Sequence, residues 1–125
     1  MAFTGQRNYG KIQGALETTD ATVTTMSTYT VSVNSVGEID MRLTWRDNVS
    51  GEIGHGRKVA KFKRVSGVLS IVSTIIDLIA ITIDGINLLT STFTIDVSGD
   101  DLRVRVTGVA GRTVHWQGIG EIIIN

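Results

Sequence analysis

The chain has 125 residues, with twelve basic and twelve acidic side chains, fourteen glycines, no proline and no cysteine. That length suits one domain burying roughly two-thirds of its unfolded surface, and an apolar content of 42% is that of a globular chain rather than a disordered one. The lack of cysteine excludes a disulfide framework, a thiol nucleophile and a Cys-ligated metal, while zero net charge argues against nucleic-acid binding, which needs a basic surplus.

Thr, Ile and Val supply 45 of the 125 residues, against 21 for Ala, Leu, Glu and Lys. β-Branched side chains are stiff at χ1 and fit a pleated surface, so the balance predicts an all-β protein. Residues 1–14 (MAFTGQRNYGKIQG) show no period, include three glycines and lack the apolar stretch of a signal peptide. They read as an extended N-terminal arm that could lay Phe3, Tyr9 and Ile12 on a neighbour, ahead of a β-sandwich domain over 15–125. Strands are predicted near 22–33, 36–47, 57–65, 68–75, 78–83, 91–98, 102–107 and 113–124. The clearest is the second, where Ile39, Met41, Leu43 and Trp45 alternate with Glu38, Asp40, Arg42, Thr44 and Arg46. Turn residues separate the runs, as at Asp47–Gly51, Ser66-Gly67, Asp84-Gly85, Ser98–Asp101 and Gly108–Gly111. The stretch Ile75–Leu89 is apolar but too short for a membrane span and is interrupted by Asp77 and Asp84; it reads as a strand pair around Asp84-Gly85 or as a helical turn or two. Eight short strands with such turns predict a two-sheet antiparallel β-sandwich, jelly-roll-like. Trp116, alternating inward on the last strand, is placed to bridge the sheets.

Signatures of chemistry are few. His55 and His115 are sixty residues apart with no metal-ligand spacing around either. Gly51–Lys58 has glycines five apart, but Arg57-Lys58 stands where a phosphate loop needs Lys-Ser/Thr, and a β run follows instead of a helix. Asp96, Asp100 and Asp101 surround Ser98-Gly99 without the EF-hand order, and a hairpin turn of that composition needs no ion. No GxSxG elbow is present and no acid/base pair stands out among four Glu. The expectation is a protein that is not an enzyme, with no catalytic residues, cofactor or metal.

The charge layout is more telling. Arg57, Lys58, Lys61, Lys63 and Arg64 place five cations in eight residues, and from Val65 to Leu102 there are five Asp and no Lys or Arg. This basic strand can be a solvated edge that resists pairing, or it can meet the acidic stretch of an adjacent copy and steer head-to-tail association; a polyanion is a third partner.

Three segments resemble a known family: Glu17–Thr22; Lys58–Arg64 followed by Val68–Val72; and Thr94–Trp116 (TIDVSGDDLRVRVTGVAGRTVHW). Together they resemble, over about 17–124, a β-sandwich domain of tailed-bacteriophage virion structural proteins, of the decoration or tail-fibre type. The resemblance implies a non-enzymatic virion component, oligomeric and often trimeric, whose partners are other copies of itself (a homotrimer), the major capsid protein or another virion protein, or a host surface, and neither nucleic acid nor membrane. The pattern is departed from between Ile75 and Thr92, which is richer in isoleucine here. The expected role is that of a capsid decoration protein attached to the shell as an oligomer and reaching it through its arm, with the tail-fibre or baseplate module as the alternative, and the residues expected to touch partners are Phe3, Arg7, Tyr9 and Lys11 in the arm and Arg57, Lys58, Lys61 and Lys63 on the basic strand. A tail-fibre or baseplate module recognising a host surface would use the connections Asp47–Arg57 and Ile83–Leu89; the sequence offers it few free aromatics, since Trp45, Phe62, Phe93 and Trp116 fit core positions.

Overall fold

The computed structural model describes residues 8–73 and 75–124. They form nine strands: β1 (Asn8–Thr18), β2 (Val23–Thr30), β3 (Ser35–Asp47), β4 (Ile53–Val65), β5 (Val68–Ile71), β6 (Ile76–Ile83), β7 (Thr92–Ser98), β8 (Asp101–Thr107) and β9 (Val114–Ile124). All pairings are antiparallel. The larger sheet runs β1-β9-β3-β4, and two short strands share the far edge of β4: β6 lies along its first half and β5 along its second. The smaller sheet runs β2-β8-β7. The predicted all-β sandwich is the fold observed.

Alternation decides which face each sheet buries. Ile39, Met41, Leu43 and Trp45 of β3 are buried, as are Trp116 and Ile122 of β9 and Ala60 and Phe62 of β4, and they meet Phe93, Ile95, Leu102, Val104 and Val106 of the smaller sheet. At the centre, Trp45 stacks on Trp116 with ring centroids 4.7 Å apart and meets Phe93 edge-on at 6.0 Å. Both indole N–H groups are satisfied: Trp45 Nε1 donates to Ser91 Oγ (2.8 Å) and Trp116 Nε1 to Thr18 Oγ1 (2.9 Å). The aromatic bridge between the sheets therefore runs through Trp45 and Phe93, while Trp116 ties β9 to β1 within one sheet.

Three expectations are corrected. First, there are nine strands, because residues 8–14 are not an arm: they begin β1 and pair with β9 from Asn8↔Ile124 to Thr18↔Val114. Ile12 is a core residue of its own domain, 3% exposed. The strand period is masked because Gly10 and Gly14 hold inward positions. The ring of Tyr29 lies over Gly10, and Ser27 and Met26 lie over Gly14, leaving no room for a side chain at either. Second, Ile75–Leu89 is not a strand pair. It holds one strand, β6, whose partner is β4, followed by a turn tied down where Ile53 N donates to Asp84 Oδ1 (2.7 Å). Third, the strand predicted over 68–75 ends at Ile71.

Candidate functional site

One end of the sandwich gathers the β3–β4, β6–β7 and β8–β9 connections, and a polar network locks them together. Asp47, fully buried at the end of β3, accepts hydrogen bonds from Ser50 Oγ (2.7 Å), Val49 N (3.2 Å) and Arg112 Nη1 (2.9 Å). Arg112 also donates to Asn87 Oδ1 (2.5 Å). Glu52 completes the ring by accepting from the backbone N–H groups of Asn87 (2.8 Å) and Leu88 (3.2 Å) and from the Asn87 side-chain amide. The two connections predicted for recognition are thus fastened to each other, and they carry the exposed aliphatics Val49, Ile86 and Leu89 at their tips.

The hydrogen bond from Ser50, then those from the Val49 backbone and the charge of Arg112, together hold the Asp47 carboxyl below its ordinary value against the opposing effect of burial. A carboxyl whose pKa is lower in the folded state stabilises fully above its unfolded pKa and loses that contribution as pH falls through the folded value. Asp47→Asn is therefore expected to lower the unfolding midpoint at neutral pH and to leave a smaller loss on acidification below about pH 4. Thermal melts of both proteins between neutral and acid pH check this; parallel curves would refute the role of Asp47.

The outer face of the larger sheet is the second feature. Antiparallel register sets its side chains in rows across β1, β9, β3 and β4: Glu17–His115–Arg46–Ile53, then Ala15–Gln117–Thr44–His55, then Gln13–Ile119–Arg42–Arg57, then Lys11–Glu121–Asp40–Val59. The short side chains of Ala15 and Thr44 lie between rows of longer ones, and the face is hollowed there. Two adjoining depressions of about 830 and 690 Å³ share Ala15, Thr44 and Gln117, and a smaller one of about 220 Å³ continues from Arg42 toward Lys11. At the upper end His115 Nε2 lies 3.3 Å from Glu17 Oε2 and 3.2 Å from Asn48 Oδ1.

The residues expected to touch partners are divided by this geometry. Phe3 and Arg7 lie outside the described residues, and Tyr9 is placed by its backbone opposite Ile123. Lys11 and Arg57 come together at the lower end of the hollow. Arg57 grips Asp40 with two hydrogen bonds, 2.9 and 2.6 Å, and this, with desolvation opposing and the charges of Asp40 and Glu121 assisting, raises its pKa further. Lys58 points inward, pairs with Asp77 of β6 at 2.7 Å and lies over the Phe93 ring. Arg64 pairs with Asp100 at 2.9 Å. The basic strand thus meets acidic residues of its own chain. Lys61 and Lys63 stay exposed and line a separate depression with Val36, Val72 and Ile123. Arg42, Arg46, Gln13 and Gln117 went unremarked as site residues in the sequence reading.

The aspartates around Ser98-Gly99 are also engaged: Asp96 holds Arg103 with two bonds (2.8 and 2.9 Å), and Asp101 accepts from Thr30 Oγ1 (2.6 Å). The glycine-rich 51–58 run enters β4 at Ile53, and Gly54 lies against the Trp45 indole. Among the described residues no group of three or more His, Asp or Glu is placed to hold a metal ion.

No protein-family model matches the chain, and no curated protein does. Among solved structures it is similar to part of the tailspike protein of Acinetobacter baumannii phage AM24, with a TM-score of 0.56 at 11% sequence identity. The match covers 93% of this chain and 26% of that one, so the chain spans about a quarter of the tailspike's length. The likeness is one of fold.

Proposed function

We propose that the chain is a non-enzymatic structural module of a tailed-bacteriophage virion, working in a tail fibre or tailspike and assembled with copies of itself. The observation that carries this reading is the similarity of 93% of the chain to one segment of a phage tailspike. The family resemblance of the Glu17–Thr22, Lys58–Arg64, Val68–Val72 and Thr94–Trp116 segments points the same way. Self-association is supported by the edge strand β6, where Ile76, Leu78 and Ile79 are each about half exposed. A non-catalytic role is supported by the engagement of the carboxylates: Asp40, Asp47, Asp77, Asp96 and Asp100 are each paired with a cation of the same chain. The tail location within the virion is supported by the neighbour's being a tailspike.

Immunogold electron microscopy of intact particles, with antibody against the purified chain, tests the assignment. Label confined to the tail is expected. Label spread over the head would replace the tail reading with that of a capsid decoration protein, and unlabelled particles would remove the virion reading altogether.

A further inference from the structure

We propose that the β5–β6 edge of the larger sheet is a two-fold interface, on which a second copy of the chain packs the same edge in antiparallel sense. The inference rests on the self-assembly proposed above and gives it a surface and a symmetry. Among the described residues fourteen Val, Leu and Ile side chains are exposed, and six of them fall on this edge: Val65, Val68, Val72, Ile76, Leu78 and Ile79. Register explains the cluster. Val65, two residues beyond Lys63 on the outer face, is paired with Val68; Val72 lies beside Lys61; Ile79 and Ile76 are the partners of Arg57 and Val59. Leu78 falls at a register shift, between the residues paired with Arg57 and Lys58, and is half exposed. Edge strands in water are guarded by lysine, proline or an inward charge. β6 has neither lysine nor proline, and its one charge, Asp77, is neutralised by Lys58 at 2.7 Å.

The other sheet edges favour a second copy meeting the stripe with its own. The free edges of the smaller sheet, β2 and β7, expose Thr28, Thr30, Thr92, Thr94 and Ser98, with Val23 their one exposed aliphatic. At the opposite edge of the larger sheet β1 exposes Lys11, Gln13, Ala15 and Glu17. The stripe therefore finds its counterpart edge in itself, which is the condition for an isologous pair. Charge sets the sense of the pairing. Asp77 sits opposite Lys58; Lys61 and Lys63 lie three and five steps along β4 in one direction, and Asp84 lies beside Ile53, five steps in the other. Among the described residues none of Lys61, Lys63 and Asp84 has an oppositely charged side chain within 4.0 Å. Two copies related by an axis near Leu78 bring the basic end of each to the acidic end of the other, about 17 Å from the axis. A parallel arrangement would set lysine against lysine. The register shifts in the β6–β4 pairing kink the strand, so aliphatic side chains and not a continuous ladder carry the contact. The stripe is long and narrow, which gives a dimer of micromolar rather than nanomolar strength.

The test uses the full chain, which has no cysteine of its own. Sedimentation velocity over a concentration series is expected to show monomer passing to dimer. Leu78→Asp is expected to weaken dimerisation at least about tenfold, with the unfolding midpoint of the monomer unchanged because the side chain is half exposed. Single cysteines read the symmetry. Leu78→Cys is expected to give a disulfide-linked dimer on oxidation. Val72→Cys and Thr82→Cys, each beside a residue of β4 three steps from Lys58, are expected to cross-link through a short bismaleimide when mixed and not singly. A trimer would overturn the two-fold while keeping self-assembly. A mass that goes on growing with concentration would also overturn it, in favour of a head-to-tail contact between the stripe and the loop tips Val49, Ile86 and Leu89. A dimer untouched by Leu78→Asp would overturn the interface, and a monomer at millimolar concentration would remove self-assembly with it. The virion assignment is read separately, by the immunogold labelling, whichever of these results is obtained.

Discussion

Replacing Trp45 with alanine is expected to destabilise the protein by about 3–5 kcal/mol, the range for deleting a large aromatic from a core. The indole is 2% exposed and carries three separate interactions: the stack on Trp116, the edge contact with Phe93 across the sheets, and the hydrogen bond to Ser91. Truncation leaves a cavity where the two sheets are joined, and the flanking rings belong to strands fixed by their own ladders, so collapse into the space is limited. Trp45→Phe keeps part of the volume and should lose less. Urea unfolding of the three proteins measures this; a shift of the midpoint under one-third of that expected for alanine would show that the aromatic cluster is peripheral to stability.

The second large effect comes from adding atoms at the same place. Gly54 of β4 is the register partner of Trp45, and a methyl group there would fall on the indole ring atoms Cε2, Nε1 and Cζ2. Gly54→Ala is expected to cost about 1–3 kcal/mol through overpacking, and Gly54→Val more. Because the clash is with one identified ring, the penalty should shrink in a Trp45→Phe background, giving a coupling energy of about 0.5–3 kcal/mol between the two positions. Strictly additive losses would mean that Gly54 is needed for its backbone and not for the space it leaves.

Where alternation was unbroken, the sequence was enough to read the structure: β3 carries its predicted faces from Glu38 to Arg46, and Phe93, Ile95, Leu102, Val104 and Val106 are buried as their pattern requires. β1 escaped notice because the signal that marks a strand is a side chain on alternate positions, and Gly10 and Gly14 supply none; what excludes a side chain there is β2, which no local window contains. Residues such as Ile12, Leu16 and Thr18, opposed by Lys11, Gln13, Ala15 and Glu17, held the remaining evidence. β6 was misjudged in partner, since a run of isoleucines states that a strand exists and not which edge will take it. The hollow was less legible still. Its lining comes from β1, β3 and β9, with Ile53 and Arg57 of β4 at its ends, and Ala15, Thr44 and Gln117 become neighbours only through the register of two long-range pairings. The cations of β4 could be counted in the sequence, but that Lys58 would find Asp77 and Arg64 would find Asp100 within the same molecule depends on where β6 and the β7–β8 turn come to rest.

The pairing of β1 with β9 also governs how the molecule comes into being. Within its sheet β1 has no other partner, and Trp116 and Thr18, joined by a hydrogen bond, are 98 positions apart. Closing so large a loop is entropically demanding, and topologies dominated by such distant contacts fold in milliseconds to seconds rather than microseconds. On the ribosome, Asn8–Thr18 emerges before any other described strand and then waits for the last one, with the edge that pairs with β9 open throughout. A nascent chain halted before Val114 would also leave the β9-facing edge of β3 open, a second unpaired strip beside the first. Its hazard is association with its siblings, and a translational pause before β9 has emerged would be felt as aggregation long before it was felt as a missing strand.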